Sequence, residues 1–246
     1  MNAAEYTNLE VVEGEHWYYA GKRVIVRSWL NRCGPPRAGQ TLLDCGAGTG
    51  RFAQELSPAC RVLVLDNHEE ALRMLRARFA PDQIIGLDGD AIPLPDASLD
   101  YITALDVLEH VADDAAVVRG FTRLAKPGGL VVVTVPAGMA LWSDWDVALQ
   151  HYRRYNRRQL EALFDPRSWE IVHANYTNLA AFVPAWLVRK GRSLLARWHL
   201  VQEVRMEDRV PPRWINATFK RLFILTGTTR MPLPFGVSLV LVARRL

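Results

Sequence analysis

Apolar residues follow two rhythms along this chain. Short, nearly unbroken apolar runs occur at TLLD (41–44), RVLVLD (61–66), QIIGLDGD (83–90), LDYITALDVL (99–108) and LVVVTVP (130–136). Between them apolar residues recur every three or four positions, as Ala71, Leu72, Leu75 and Phe79 do within NHEEALRMLRARF. The first rhythm predicts strands covered on both faces, and the second predicts amphipathic helices. Their alternation predicts an α/β fold in which helices cover both sides of a parallel sheet.

The flanking segments extend the pattern. Residues 14–31 predict a helix with Trp17, Tyr18, Val24, Val26, Trp29 and Leu30 as its apolar positions, stopped by Pro35 and Pro36. Helices are also expected from near Arg51 and over 112–125, with Pro127-Gly128-Gly129 turning the chain into the fifth strand. NRRQLEALF (156–164) predicts a helix capped by Asn156, with Gln159 in capping-box spacing. WEIVHANY (169–176) and GVSLVLVARR (236–245) predict strands six and seven. The segment between them far exceeds a loop of about 4–6 residues and is expected to carry structure of its own. Three units follow: an N-terminal helical lid (1–36), a core domain (37–178 with 236–246), and a helical insertion (179–235).

Charge sharpens that division. The chain carries a net +4, yet residues 1–178 hold 18 basic against 23 acidic residues and residues 179–246 hold 12 against 3. The C-terminal part therefore either meets an anionic partner or uses its charge to keep an apolar segment soluble. Within the insertion, Phe182, Trp186, Leu187, Leu194, Leu195 and Trp198 alternate with Arg189, Lys190, Arg192 and Arg197, and RWINATFKRLFIL (213–225) repeats the mixture. That describes a helical cap packed on the sheet, an interfacial helix at a membrane surface, or both. The longest apolar run, Leu179 to Val188, contains Pro184 and falls short of the ~20 residues of a membrane span. The opening MNAAEYTNLEVVEGEH is acidic and lacks the apolar core of a secretory signal. Cys33, Cys45 and Cys60 have no metal or disulfide spacing. A cytoplasmic protein is expected, with at most a peripheral contact to the inner face of the membrane through 179–235.

The candidate chemistry starts at Asp44-Cys45-Gly46-Ala47-Gly48-Thr49-Gly50, between the first strand and its helix. Glycines allow a tight turn and close approach to a ligand. The spacing is G-x-G-x-G, not the dinucleotide G-x-G-x-x-G, and an acid precedes it. That acid disfavours a diphosphate and suits a cationic amino-acid group, unless Asp44 only braces the turn.

LDCGAGTGRFA, the strand-end acid Asp66, GDAIPLPDASLD, LDVLEHV and LAKPGGLVVVTVP together resemble the class I S-adenosylmethionine-dependent methyltransferases, in particular their quinone-biosynthesis-like subgroup. The resemblance implies a Rossmann-like seven-stranded, mostly parallel sheet in the order 3-2-1-4-5-7-6, and S-adenosylmethionine as cofactor. It assigns the cofactor to Asp44, Gly46, Ala47, Gly48, Gly50, Asp66, Asn67, Asp90, Ala91, Leu105 and Asp106. Asp66 would accept from the two ribose hydroxyls, with Asp90 and Ala91 at the adenine.

For the acceptor, His110 and His151 are the candidate proton-moving groups, and the N-terminal segment, the loop after strand five and the insertion 179–235 are its expected cover. Trp17, Tyr18, Trp142, Tyr152, Arg153 and Arg154 are accordingly expected to contact it. Arg153 and Arg154, within HYRRYNRR, would clamp an anionic group, or would only sit on a solvated helix turn. Asp106, Glu109 and His110 also form a D-x-x-E-H set similar to an E-x-x-E-H metal site of some quinone O-methyltransferases, although no metal is expected. Asp106-Val107-Leu108 stands where amino- or DNA-directed members carry an Asn or Asp followed by Pro-Pro-aromatic, which argues against a nucleic-acid substrate. The leading expectation is methyl transfer to oxygen or nitrogen of an anionic or amphiphilic lipid-, sugar- or natural-product-type small molecule. A quinone-like O-methyltransferase using His110, or a non-catalytic cofactor-binding scaffold, stands beside it.

Overall fold

The structure is a computed structural model that describes residues 3–87, 91–197 and 210–246. Asp90, the end of the expected third strand, and Trp198 lie outside the described residues. Seven strands form one sheet in the order β3-β2-β1-β4-β5-β7-β6. They are β1 (Thr41–Cys45), β2 (Arg61–Leu65), β3 (Ile84–Ile85), β4 (Leu99–Leu105), β5 (Ala125–Pro136), β6 (Trp169–Thr177) and β7 (Ser238–Arg245). The first five run parallel, and β7 pairs antiparallel with both β5 and β6.

Because strand side chains alternate, each run feeds two cores. Leu43, Leu63, Ile102 and Val133 face α5 (Asp114–Leu124), through Phe121 and Leu124, and α7 (Arg157–Glu161), through Leu160. Leu42, Val62, Val64 and Val132 face α2 (Trp17–Cys33), α3 (Arg51–Leu56), α4 (Glu69–Arg78) and α9 (Arg213–Thr228). α1 (Ala3–Val12) precedes them, α6 (Asp144–Ala148) lies in the loop after β5, and α8 (Phe182–Arg197) opens the insertion.

α9 therefore packs beside the N-terminal helix on one face of the sheet. A Cβ on Gly227 would lie 2.3 Å from Ile25, so the absence of a side chain sets the spacing between α2 and α9. Trp29 Nε1 donates to the Gly227 carbonyl at 2.8 Å across the same seam. The opposite side of α9 carries Trp214, Leu222 and Leu225, all exposed, with Arg221 beside them.

Three expected boundaries move. The fourth strand stops at Leu105 instead of 108, because Asp106 takes a left-handed conformation (φ +57°) while its N–H bonds the Thr134 carbonyl at 2.9 Å. The Pro127-Gly128-Gly129 turn falls inside β5 as a bulge. Leu99 pairs with Ala125 and Tyr101 with Leu130, so 126–129 loop out, with Gly128 at φ +80°. The helix over 156–164 shortens to Arg157–Glu161, with the Asn156–Gln159 capping box formed.

Candidate active site

The glycine turn sits at the carboxyl ends of the strands, where open α/β sheets bind ligands. Gly46 N and Ala47 N donate to the Leu65 carbonyl at 2.8 and 2.9 Å, pinning the turn to the end of β2. Gly46 has φ +71°, and a Cβ there would lie 2.4 Å from Val107. Gly48 has φ +56° with nothing within 4 Å of where a Cβ would stand, so its backbone is open to a ligand. Gly50 instead backs onto Leu75 and Phe79.

Three acids surround this turn, each with different partners. Asp66 Oδ2 accepts from Gly48 N at 2.9 Å and Oδ1 from His68 N at 3.0 Å, so the acid shapes the turn it borders. Asp44 accepts from Thr103 Oγ1 at 2.7 Å; burial pushes its carboxyl up to about 7, with the nearby Asp66 charge adding to the rise. Burial alone would also raise Asp106, but Lys22, Thr134 and Tyr18 reverse the effect and hold it below the usual carboxylate range. Lys22 Nζ pairs with Asp106 Oδ2, Tyr18 Oη donates to the same oxygen at 3.1 Å, and Thr134 Oγ1 reaches Oδ1 at 2.9 Å. Lys22 also lies over the Tyr18 ring, 4.4 Å from its centroid.

On the acceptor side, Glu109 and His110 stand in a 3₁₀ turn (Leu108–His110), and His151 arrives from the loop after α6. The His110 and His151 rings meet edge to face with centroids 4.6 Å apart. Burial, with His151 adding to it, lowers the His110 imidazole to about 4, so it is neutral at physiological pH. Glu109 is fully buried, both of its carboxyl oxygens lack a hydrogen-bond partner, and burial together with Asp106 raises it well above the usual range. His151 Nδ1 lies 3.0 Å from Asp146 Oδ1. Asp146 is 1% exposed and also binds Arg154 Nε at 2.6 Å and Arg189 Nη1 at 3.2 Å.

These groups line one crevice of about 2490 Å³, well above the ~300–1,000 Å³ of a small-molecule pocket. Asp44, Gly46, Ala47, Gly48, Asp66, Asn67, Ala91, Leu105 and Asp106 line one end, and His110, His151, Tyr152, Arg154, Trp17 and Tyr18 also border it. Several acceptor-side residues take other duties. Trp142 is not among the lining residues; Trp145 is, with the Arg189 guanidinium 5.4 Å from its ring centroid. Arg153 does not line the crevice, because it pairs with Asp114 Oδ2 at 2.7 Å and donates to the Ala112 carbonyl at 2.6 Å. Arg154 lines it but is buried, its Nε held by Asp146 and its Nη1 by the Ala137 carbonyl at 3.2 Å. The anion clamp expected of this pair is thus redirected to the protein's own carboxylates.

Sequence reasoning missed Lys22, Glu13 and Asp146. Glu13 is buried against the turn and accepts from Thr49 Oγ1 at 2.7 Å, so the N-terminal segment closes over the glycines. The signal for Asp146 was available in one respect: an acid five residues before a histidine and eight before an arginine can serve both only if the loop folds back.

A seven-stranded sheet in the order β3-β2-β1-β4-β5-β7-β6, with β7 antiparallel, a glycine turn after β1 and an acid just after β2, is the class I S-adenosylmethionine-dependent methyltransferase fold. The residues present suit that cofactor, with Asp66 at a strand end, Asp44 for a cation, and the Gly48 backbone open. A model of the methyltransferase domain family matches residues 17–174, well over half of the chain, and the chain belongs to that family. A relative from Mycolicibacterium smegmatis, named a probable S-adenosylmethionine-dependent methyltransferase, is 30% identical over 160 residues. The match covers 64% of this chain and 61% of that relative, so the chain spans less than two thirds of its length. Among solved structures, a chain of the complex of the Haloferax volcanii Trm112 methyltransferase activator with a methyltransferase superposes with a TM-score of 0.62 at 18% identity, covering 98% of this chain and 95% of that one. Phosphoethanolamine N-methyltransferase 2 of Haemonchus contortus gives 0.60 at 17% identity, covering all of this chain and 58% of that one. These two likenesses concern the fold.

Proposed function

We propose that this chain transfers a methyl group from S-adenosylmethionine to oxygen or nitrogen of an anionic or amphiphilic small molecule. The observation that carries the proposal is the continuity of the crevice from the glycine turn and Asp66 to the His110–His151 pair. Bound S-adenosylmethionine would supply an electrophilic methyl on its sulfonium. Asp66 would hold the ribose hydroxyls, Asp44 the cationic amino group, and Ala91 the adenine end, with Asp90 beside it in sequence. An acceptor placed between that end and His151 needs little covalent help beyond alignment and removal of one proton.

His151 is better arranged for that proton than His110. Asp146 is ionised, so His151 Nδ1 donates to it and Nε2 keeps a free lone pair. Asp146 would also stabilise the imidazolium formed. The size of the crevice supports an amphiphilic acceptor, as does the exposed Trp214–Leu222–Leu225 side of α9 with Arg221, which suits a peripheral contact with an anionic membrane. No helix among the described residues is long and apolar enough to cross one.

The proposal is tested with methyl-labelled S-adenosylmethionine and a panel of anionic and amphiphilic hydroxyl and amine acceptors. Label should transfer, and His151→Ala should lower kcat by about 10²–10⁴ while leaving S-adenosylhomocysteine affinity unchanged. Intact cofactor binding with no transfer to any acceptor would favour the scaffold reading instead.

Asp44 adds a pH dependence. With its carboxyl near 7, about half the free protein carries a proton there at neutrality. A cationic amino group needs the ionised form, so binding releases that proton. Apparent affinity for S-adenosylhomocysteine should fall about tenfold per pH unit below 7 and level off above 8. Calorimetry in two buffers of different ionisation enthalpy would measure the proton released near pH 7; none released would remove Asp44 from the amino-group site.

A further inference from the structure

Glu109 poses a problem that the methyl-transfer reading does not solve. It is fully buried, and neither carboxyl oxygen has a partner. Buried carboxyl groups are ordinarily hydrogen-bonded or paired, since leaving one unsatisfied carries the full cost of its desolvation. Lys22, whose charge acts on Glu109, is bound to Asp106, and Arg154 and Arg189 are bound to Asp146. What Glu109 does face is two imidazoles. One donor atom each from Glu109, His110 and His151 all lie within 4.8 Å of one another.

We infer that Glu109, His110 and His151 form a binding site for a divalent first-row transition-metal ion of the zinc type, opening onto the acceptor end of the crevice. Two imidazoles and one carboxylate are a ligand set for such ions, with a fourth position left to water or a substrate oxygen. Metal–ligand bonds of about 2.1 Å at tetrahedral angles place ligand atoms about 3.4 Å apart, so side-chain shifts of about an ångström would close the site.

The surroundings of both histidines support the assignment independently of Glu109. A metal-bound imidazole characteristically donates its other N–H to a carboxylate or a backbone carbonyl, which fixes the ring and its tautomer. His151 donates Nδ1–H to the buried Asp146, leaving Nε2 for the ion. The His110 ring lies beside the Leu149 backbone and meets the His151 ring edge to face, and its neutrality leaves a ring nitrogen as a ligand. The D-x-x-E-H set suggested by the sequence is not what the fold assembles. Asp106 is saturated by Lys22, Tyr18 and Thr134, and His151, from a different loop, takes the third place.

The inference goes beyond methyl transfer and requires only the crevice. With the ion present, His151 Nε2 serves as ligand instead of base, and an acceptor hydroxyl bound at the fourth position is made more acidic by the ion itself.

The test is zinc titration of the metal-stripped full chain by calorimetry, with metal content measured after dialysis. One zinc ion per chain is expected. Glu109→Gln, a near-isosteric change, and His151→Ala should each weaken binding at least 100-fold. Asp146→Asn, which removes the charge behind His151 and also weakens the pairing of Arg154 and Arg189, should weaken it about 10- to 100-fold while S-adenosylhomocysteine binding is retained. Cobalt bound in place of zinc should show intense visible absorption bands that Glu109→Gln abolishes. S-adenosylhomocysteine binding by the same variants reports that the fold is intact and separates this inference from the cofactor reading. Wild-type protein that binds S-adenosylhomocysteine but no stoichiometric zinc or cobalt overturns the site and leaves methyl transfer standing. Zinc binding that survives unchanged in both Glu109→Gln and His151→Ala overturns it equally.

Discussion

Asp66→Ala should abolish measurable binding of S-adenosylhomocysteine, a loss of about 100-fold or more. The carboxylate would lose its bonds to the two ribose hydroxyls, and hydrogen bonds to a charged group contribute about 1.5–3 kcal/mol each. It would also lose the Gly48 and His68 N–H groups that it now holds at 2.9 and 3.0 Å, so the turn itself would loosen. Asp66→Asn keeps the shape and one acceptor oxygen, and an intermediate loss is expected. Isothermal calorimetry, with thermal melting as a control for folding, measures both. Wild-type affinity in Asp66→Ala would sink the cofactor assignment and, with it, the reading of the whole crevice.

The second large effect concerns stability. Asp146→Ala should destabilise the chain by about 3–5 kcal/mol, the usual cost of leaving a buried charge without its partner. Asp146 is 1% exposed and Arg154 5% exposed, with Nε to Oδ1 at 2.6 Å. Removing the acid would strand the Arg154 guanidinium beside Arg189, whose own charge is already disfavoured by burial and by Arg154. The melting temperature should fall by about 10 °C for a domain of this size. Adding Arg154→Met to Asp146→Ala should recover part of the loss, because the stranded charge is then gone. Denaturant titration of both variants decides the point, and a single variant within 1 kcal/mol of wild type would show that the buried pair is energetically neutral.

That ion pair also changes the meaning of HYRRYNRR. From the sequence, its density of cations suggested a grip on an anionic acceptor. In the fold, Arg153 serves Asp114, Arg154 serves Asp146, and Arg157 pairs with Glu161 at 2.7 Å along α7. Tyr155 is buried and donates to Asp114 Oδ2 at 2.7 Å. The cluster ties the loop after β5 to the body of the domain, and it presents His151, Tyr152 and Arg154 to the crevice. Trp142, expected at the acceptor, and Trp145 belong to one loop, and Trp145, within α6, is the one that lines the crevice.

The elements whose signal is local were legible in the chain. Strands declared themselves by unbroken apolar runs, the glycine turn by its spacing, the α7 cap by Asn156 and Gln159, and Asp66 by ending a strand. Each depends on backbone geometry within a few residues, which sequence records directly. Partnerships were not legible. Lys22 meets Asp106 from 84 residues away, Arg153 meets Asp114, and His151 faces His110 from 41 residues away. Whether a charged side chain is free for a ligand or already consumed by the protein depends on burial and on which loops the sheet brings together. Composition and periodicity carry no record of that choice. The sequence by itself determined the sheet, the turn and the cofactor class; the tertiary structure decided which histidines, carboxylates and arginines face the crevice. The reason is that desolvation makes a buried charge costly unless it finds a partner, and the partner is selected in space.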